Sequence, residues 1–242
     1  MKAMRFIANN ARTLLVALAL TGCGVGSVSS ERQVLPSFQA SQFAKKRLFI
    51  APYSIKVLDP ERAVPLEGDE MNELAKAYKD RDENRAALKA FYSTGAEGAR
   101  DTLGDIGLDL AVVDLPIARW RDYFEDSEKF LNVTVDGKLR YQVPDHRLLE
   151  SLGIEADFVV VMGALAYSTT HVYTRNGNVS HTSHSADFEG RFLVWDYRGS
   201  QVLAEGKVES SVGTRREASK EFLLDLGRIT VGEIVAKRPF RG

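Results

Sequence analysis

The chain of 242 residues is 44% hydrophobic and 27% charged, which is typical of a globular protein and excludes collagen-like and wholly disordered chains. Its 32 basic and 33 acidic side chains leave no basic excess, so we expect no nucleic-acid partner. A single cysteine, Cys23, rules out an intramolecular disulfide and a zinc site built from cysteines.

The first 22 residues have the pattern of a secretory signal peptide. Three basic residues precede the short apolar run 14–20, which is too short to cross a bilayer as a helix of about 20 residues. The run ends in Leu20-Thr21-Gly22-Cys23, which resembles the bacterial lipobox. The resemblance implies cleavage between Gly22 and Cys23, and diacylglyceryl and N-acyl chains on Cys23. The alternative is a conventional secretory signal with an incidental cysteine.

We divide the chain into a signal peptide (1–22), a lipidated cysteine with a flexible tether (23–45) and a single α/β domain (46–242). The processed chain carries 29 basic and 33 acidic side chains, so it is mildly acidic. Two or more acyl chains hold a protein stably on a bilayer, at about 0.8 kcal/mol per buried CH₂. Glycine at position 24 resembles the pattern that directs such lipoproteins to the outer membrane, facing the periplasm.

The body begins with an apolar strand at 47–52. Apolar residues then recur at three- and four-residue spacing from 69 to 103, which predicts one long helix or two shorter ones. A second strand at 108–116 is stopped by Pro116. Strand, helix and strand of these lengths predict a right-handed parallel crossover.

Shorter elements are predicted in the middle of the chain. Aromatic residues on one side favour a helix at 117–131, and an Asp-Gly pair predicts the turn of a hairpin at 133–141. Asp145 is positioned to cap a short helix that ends at Gly153.

The second half predicts antiparallel strands. The continuous apolar run 158–165 is typical of a central strand covered on both faces. A polar hairpin follows, turning at 175–178 and returning to residue 195, and then a strand at 202–208 and an amphipathic helix at 216–237. We therefore predict a single α/β domain with a mixed parallel and antiparallel sheet, and with α+β character in its second half.

Short motifs in the second half carry a family resemblance: an Ala-Asp-aromatic start to an apolar strand, an aspartate before a turn, and a glycine in the next strand. The residues are Ala156, Asp157, Phe158, Gly163, Asp196, Gly199 and Gly206. The pattern resembles a group of bacterial envelope lipoproteins: the curli-secretion lipoprotein, the N-terminal domain of the Tol-system propeller protein, and the activators of penicillin-binding proteins. As topology the resemblance covers residues 46–237, and it implies a periplasmic binding or assembly module rather than an enzyme.

Three of the four histidines, His171, His181 and His184, lie close together in the sequence. If Asn176-Gly177 forms a two-residue turn, His171 lies opposite Thr182, with His184 diagonal to it on the same face and His181 on the other. Two imidazoles then converge without a third ligand, so we assign no metal, and His171 and His184 are the candidates that come nearest to a site.

The hairpin at 169–188 is predicted to project beyond the sheet, because neither of its faces is apolar enough to be core. A projecting pair of strands with open edges suits the docking of a partner. The alternative is a solvated loop. The residues that we assign to partner binding are Tyr167, His171, Tyr173, Asn176, His181 and His184.

Three other polar features are assigned structural roles. Asp114, at the end of a strand, is expected to take part in a turn or an ion pair. His146 is expected to have a capping role at the start of a helix. The basic run 45–47 is expected at a solvated strand entry.

These patterns predict a membrane-anchored periplasmic lipoprotein that serves as a binding or accessory subunit of an envelope assembly, with a protein partner in the envelope. No catalytic residue and no cofactor other than the covalent lipid is assigned. The alternatives are a periplasmic metal-dependent hydrolase that uses His171, His181 and His184, and a lipid-transport accessory lipoprotein.

Overall fold

A computed structural model of the chain describes residues 25–35, 38–52, 82–115, 129–135, 139–176, 179–214 and 220–241. Side chains are described over these ranges except at 25, 82–88, 139–140, 163–186, 214 and 220–223. The described residues form eight strands, three α-helices and a short 3-10 helix at Ala40–Phe43. In chain order the strands and α-helices are β1 (Val25–Val34), β2 (Lys46–Ala51), α1 (Asp82–Asp105), β3 (Leu110–Val113), β4 (Phe130–Val135), β5 (Leu139–Pro144), α2 (His146–Leu152), β6 (Phe158–Asn176), β7 (Val179–Asp196), β8 (Gln201–Thr214) and α3 (Lys220–Val235).

The main sheet has six strands in the order β1-β8-β7-β6-β2-β3, and β4 and β5 form a separate two-stranded sheet. Strand β2 pairs in parallel with both β3 and β6, and the other pairs are antiparallel. The predicted single α/β domain with a mixed sheet is confirmed. Strand β6 lies in the interior of this sheet, between β7 and β2. At its start, the side chains from Phe158 to Met162 are at most 4% exposed.

The predicted parallel crossover from β2 through a helix to β3 is confirmed. The helix is α1, and residues 69–81 of the predicted helical segment lie outside the described residues. The ion pair between Arg100 of α1 and Asp114 after β3 joins the helix to the end of that strand, in agreement with the role expected for Asp114.

Helices α1 and α3 pack against each other and lie on one face of the sheet. The Phe91 ring of α1 lies 5.0 Å from the Phe188 ring of β7, and Leu226, Val231 and Ile234 of α3 are fully buried. Facing hydroxyls of Ser210 and Thr230, 2.6 Å apart, satisfy each other between β8 and α3.

The other face is covered over part of its length by β5 and α2. Asp145 accepts a hydrogen bond from the backbone N–H of Leu148 at 2.8 Å, and Gly153 ends α2 with a left-handed φ of 70°. Both capping predictions are confirmed. His146 is the first residue of this helix, and its ring lies 4.9 Å from the ring of Tyr197.

The flexible tether predicted for residues 23–45 is wrong over the described part of that segment. Residues 25–34 form β1, which pairs with β8 along its whole length, from Val25 opposite Gly213 to Val34 opposite Ala204. Phe43 is fully buried, with its ring 4.6 Å from that of Phe158 and 4.4 Å from that of Phe240. These residues belong to the domain and not to a linker.

The predicted helix at 117–131 is wrong at its end. Residues 116–128 lie outside the described residues, but Phe130 and Leu131 begin β4, where Phe130 pairs with Pro144. Phe130 is buried and Leu131 is 42% exposed, which is the alternation of a strand with one covered face. The predicted hairpin at 133–141 is confirmed as the β4–β5 pair.

Candidate functional site at the hairpin end of the sheet

The β6–β7 hairpin extends beyond its neighbours in the sheet. Strand β1 begins at Val25, which lies opposite Gly213 of β8. Gly213 lies opposite Ser185 of β7, and Ser185 lies opposite Thr170 of β6, so these four residues form one row across the sheet. Strand β8 ends at Thr214, opposite His184. The hairpin continues past that point as a two-stranded ribbon within the described residues. We call residues 172–176 and 179–183 the distal ribbon.

Among the described residues, the distal ribbon pairs with no third strand, as the predicted projection requires, but the prediction is wrong for the base of the segment. Residues 184–188 of β7 pair with β8 and belong to the main sheet. The distal ribbon holds Tyr173, Asn176 and His181 of the assigned partner-binding residues, whereas Tyr167, His171 and His184 occupy paired positions at its base.

The predicted histidine register is wrong by two residues. His171 lies directly opposite His184, and His181 lies opposite Thr174. The hairpin closes with Asn176 opposite Val179, so Gly177-Asn178 is the connection. Residues 177–178 themselves lie outside the described residues.

The register gives two histidine positions on one face, because directly opposed residues of an antiparallel pair share a face and alternate residues do not. His181, three positions from His184, falls on the other face. Among the residues whose side chains are described, which leave out 163–186, no three His, Cys, Asp or Glu residues gather as metal ligands.

The composition of the hairpin differs from that of the rest of the chain. Residues 158–186 contain no aspartate, glutamate or lysine, and Arg175 is their one formally charged residue at pH 7. The other residues from 23 to 242 carry 28 basic and 33 acidic side chains. Residues 158–186 are thus weakly cationic on a body that is net acidic, to which Asp187 at the base of the hairpin belongs.

The start of β1 and the hairpin are at the same end of the sheet. Gly22 and Cys23 lie outside the described residues, and Cys23 precedes Val25 by two positions. Two residues span at most about 7 Å. Whatever is attached at Cys23 is therefore held close to the row that contains Thr170 of β6, at the base of the distal ribbon.

A polar surface on β7 and β8 was not predicted from the sequence. Lys207 of β8 contacts Glu189 across the strands and lies 2.7 Å from Glu209 Oε1. The hydrogen bonds that Lys207 donates to these two carboxylates raise its pKa. These residues alternate along the strands with Val208 and Ser210, which face α3, so they lie on the opposite face of the sheet.

A second unpredicted feature is the buried hydroxyl of Tyr141 on β5. The Tyr141 side chain is 1% exposed, and its hydroxyl makes no hydrogen bond to any described residue. Burial raises the pKa of the Tyr141 phenol well above its usual value, the Glu205 carboxylate raises it further, and Arg191 opposes the rise. A nearby buried tyrosine differs, because the Tyr197 hydroxyl donates to the Pro144 carbonyl at 2.8 Å.

We expect Tyr141→Phe to leave the free energy of unfolding unchanged or raise it by about 1 kcal/mol, because it removes an unpartnered buried hydroxyl. The matched Tyr197→Phe removes a made hydrogen bond and should cost about 1–2 kcal/mol. Urea unfolding at pH 8 measures both.

The pH dependence supplies a second measurement on the same variant. Since the folded pKa of Tyr141 is raised, its contribution to stability is complete below the unfolded pKa near 10 and is lost as the pH rises above it. Tyr141→Phe should therefore lose less stability than the parent chain between pH 9 and 11. Equal losses in the two proteins would contradict this assignment.

The residues that carry the family resemblance have structural roles here. The carboxylate of Asp157 accepts the N–H of Arg47 at 2.9 Å, which ties β2 to the start of β6. Asp196 accepts the N–H of Arg198 at 2.9 Å in the β7–β8 turn. Gly206 lies opposite Arg32 in the β1–β8 pair, and a Cβ at Gly206 would lie 2.9 Å from the Arg32 Cα. They specify the topology and point to no ligand.

The basic run at 45–47 lies at the solvated entry to β2, as expected. Lys46 lies 3.5 Å from Asp157 Oδ1, and the Arg47 side chain pairs with Glu155. These exposed pairs are consistent with a strand entry and not with a binding patch.

No protein-family model matches the chain, and no curated protein matches it. Among solved structures, it is similar to the PelC dodecamer from Paraburkholderia phytofirmans at 8% identity and a TM-score of 0.35, over 86% of this chain and 95% of that one. A PDZ domain protein from Parabacteroides distasonis gives 10% identity and a TM-score of 0.27, over 91% of this chain and 37% of the other. With TM-scores below 0.5, neither likeness bears on function. Within the described ranges, no helix has the length and hydropathy needed to span a bilayer.

Proposed function

We propose that the chain is a lipoprotein of the bacterial envelope, anchored through Cys23 to the outer membrane and facing the periplasm. Its α/β body serves as a binding or accessory subunit of an envelope assembly. The observation that carries the proposal is the lipobox-like run Leu20-Thr21-Gly22-Cys23, which ends the apolar segment and uses the only cysteine of the chain. The resemblance to envelope lipoproteins remains a prediction in its support.

The position of β1 supports an anchor that holds the body closely. Cys23 precedes a strand that is bonded into the main sheet over ten residues, with no linker between them. An acyl anchor at Cys23 would therefore fix the position of the sheet and not only its distance from the membrane. A subunit that must present one surface to a neighbour in an assembly gains from such a placement, because less orientational freedom is lost on binding.

A binding role is favoured over catalysis by what the polar side chains do. The carboxylates of Asp145, Asp157 and Asp196 accept backbone N–H groups, and Asp114 pairs with an arginine. These groups are committed to caps, turns and strand entries. The hairpin, with its long strand edges, is the part of the fold most suited to contacts outside the chain.

We expect Cys23→Ser to abolish incorporation of radiolabelled palmitate and to move the protein out of the membrane fraction. Ser29→Ala, an exposed position on β1, is the matched control and should retain both properties. A Cys23→Ser chain that still incorporates label and sediments with membranes would refute the anchor.

The subunit role needs a separate measurement. After gentle detergent extraction, the lipidated chain should migrate in native electrophoresis in a discrete assembly larger than the free chain, together with another envelope protein. Migration as the free chain under all extraction conditions would refute the accessory role and leave the anchor intact.

A further inference from the structure

We propose that the distal ribbon lies on the membrane that holds Cys23 and that it contacts the phosphate headgroups of that leaflet. The inference rests on the proposed lipidation of Cys23 and names the surface that the hairpin meets. The structural basis is the juxtaposition of the start of β1 and the ribbon at one end of the sheet.

The length of the ribbon brings it to the membrane. From Thr170, in the row of Val25, to Asn176 at the tip is six residues, or about 20 Å of strand. Cys23 can lie at most about 7 Å from Val25. Even if residues 23–24 continue β1 in a straight line, the tip of the ribbon extends about 13 Å farther in that direction than the acylated residue.

The orientation of the sheet leaves no arrangement that takes the ribbon away from the bilayer. If the ribbon pointed away, β1 would extend about 30 Å towards the membrane and carry the body into it. If the sheet lies along the surface, the ribbon lies along it as well. A standing sheet would push the polar ribbon about 13 Å past the acylated residue and into the hydrocarbon, so the sheet tilts, and the ribbon then lies at the headgroup layer.

The charge distribution favours the same orientation. Residues 158–186 of the hairpin have no acidic side chain and carry Arg175, whereas the rest of the processed chain, which includes Asp187 at the base of the hairpin, has five more acidic than basic side chains. An anionic leaflet therefore attracts the hairpin and repels the remainder of the body. Tyr173 belongs to the residue type enriched at membrane–water interfaces.

The opposite end of the sheet offers an internal control. Arg198, exposed in the β7–β8 turn, is separated from the ribbon tip at Val179 by nearly the whole of β7, or about 56 Å of strand. In a tilted sheet, which holds the ribbon at the headgroups, a probe at 198 should remain in water; only a sheet lying flat on the surface would bring both of its ends to the membrane.

The test uses the full, processed chain carrying Asn176→Cys or Arg198→Cys, each labelled with an environment-sensitive fluorophore. The thioether blocks Cys23, so each variant has one reactive thiol. The proteins are reconstituted into vesicles of phosphatidylethanolamine and phosphatidylglycerol that contain headgroup nitroxide lipid. We expect the probe at 176 to lose about half of its emission, because it lies within the headgroup layer, and the probe at 198 to lose none.

A charge reversal tests the headgroup contact itself. Arg175→Glu, added to the Asn176→Cys chain, should reduce the quenching on these vesicles and have little effect on vesicles of phosphatidylcholine alone. The matched Arg198→Glu should change neither. Equal quenching in the Arg175→Glu and parent chains would overturn the phosphate contact.

The remaining outcomes separate this inference from the proposed function. If mass spectrometry finds Cys23 acylated but the probe at 176 is unquenched, the ribbon inference is overturned and the anchor stands. A photocrosslinker at Tyr173 that forms protein adducts in cells instead of lipid adducts also overturns it, in favour of a protein partner. An unmodified Cys23 overturns both proposals.

Discussion

Replacing Gly98 by alanine is expected to lower the free energy of unfolding by about 3 kcal/mol or more. A Cβ at Gly98 would lie 2.9 Å from both the carbonyl carbon and the Cα of Arg228, and closer still to its carbonyl oxygen. These are backbone atoms of α3 and cannot rotate away. Helices α1 and α3 would have to separate.

The separation would be costly because the contact is reciprocal. A Cβ at Gly227 of α3 would in turn lie 2.7 Å from Thr94 Oγ1 and 2.9 Å from the carbonyl carbon of Phe91. The same two helices bury Ala99 and Leu103 on one side and Leu226 and Val231 on the other. For a domain of this size, a loss of about 3 kcal/mol lowers the melting temperature by about 6–12 °C.

Calorimetry of three alanine variants measures this effect. A methyl carbon added at Gly104, also in α1, would have nothing within 4 Å, so Gly104→Ala should leave stability unchanged or raise it by up to about 1 kcal/mol. Gly95→Ala should fall between the two, because its nearest contact is the movable Cγ2 of Val231. Equal melting temperatures for Gly98→Ala and Gly104→Ala would refute the close packing of the helices.

The elements that the sequence predicts well are those whose signal is local. The run from Phe158 to Met162 is apolar at every position because both faces are covered, and Asp145 with Gly153 brackets α2 with its own capping chemistry. The partner strand or helix does not need to be known to interpret either pattern.

Strand β1 was missed because most of its inward positions carry no apolar side chain; Val28 and Val34 are the exceptions. Gly26, Ser30 and Arg32 face α3, and they lie there because Ile229 and the end of α3 supply their contacts. An apolar and polar alternation therefore does not appear in the sequence. The strand depends on tertiary hydrogen bonds, which sequence periodicity does not report.

The candidate site was predicted in its composition but not in its geometry. The polar character of the hairpin indicated that it projects, but its register depended on choosing between Asn176-Gly177 and Gly177-Asn178 as the connection. That choice moves every cross-strand pair by two positions and decides whether His171 faces Thr182 or His184. The proximity of Cys23 to the hairpin depends on β1, so it could not be predicted either.

Arg32→Ala is expected to destabilise the domain by about 3 kcal/mol and to release β1 from the body. The Arg32 Nη1 donates to the carbonyls of Ile234 and Arg238 at 2.8 and 2.9 Å, and Nη2 donates to that of Glu233 at 3.2 Å. These carbonyls belong to the end of α3 and the turn after it. Carbonyls in the last turn of a helix lack partners within the helix. A cation at this end also interacts favourably with the helix dipole.

The surroundings of Arg32 explain why alanine cannot substitute for it. Its guanidinium carbon lies 5.2 Å from the centre of the Phe192 ring, a cation–π distance. Burial lowers the pKa of Arg32 to about 10, while Glu233 opposes the shift, so the group stays charged at neutral pH. Removing it leaves the Ile234 and Glu233 carbonyls without these donors in a part-buried position.

Hydrogen exchange locates the effect and urea unfolding measures its size. Amides of β1 should exchange faster in Arg32→Ala, while those at the start of β6 remain protected. Arg47→Ala is the matched control, because its exposed pair with Glu155 should contribute less than about 1 kcal/mol. If Arg32→Ala and Arg47→Ala are equally stable, the bonds to α3 do not hold β1 in place.

The same variant joins the fold to the proposed placement at the membrane. A released β1 becomes ten residues of free chain, which reach about 33 Å when extended. The body could then lift from the bilayer while Cys23 stays anchored. Quenching of the probe at 176 should consequently fall in Arg32→Ala and persist in Arg47→Ala. Undiminished quenching in Arg32→Ala, with β1 shown to be released, would mean that the ribbon reaches the headgroups without help from the strand.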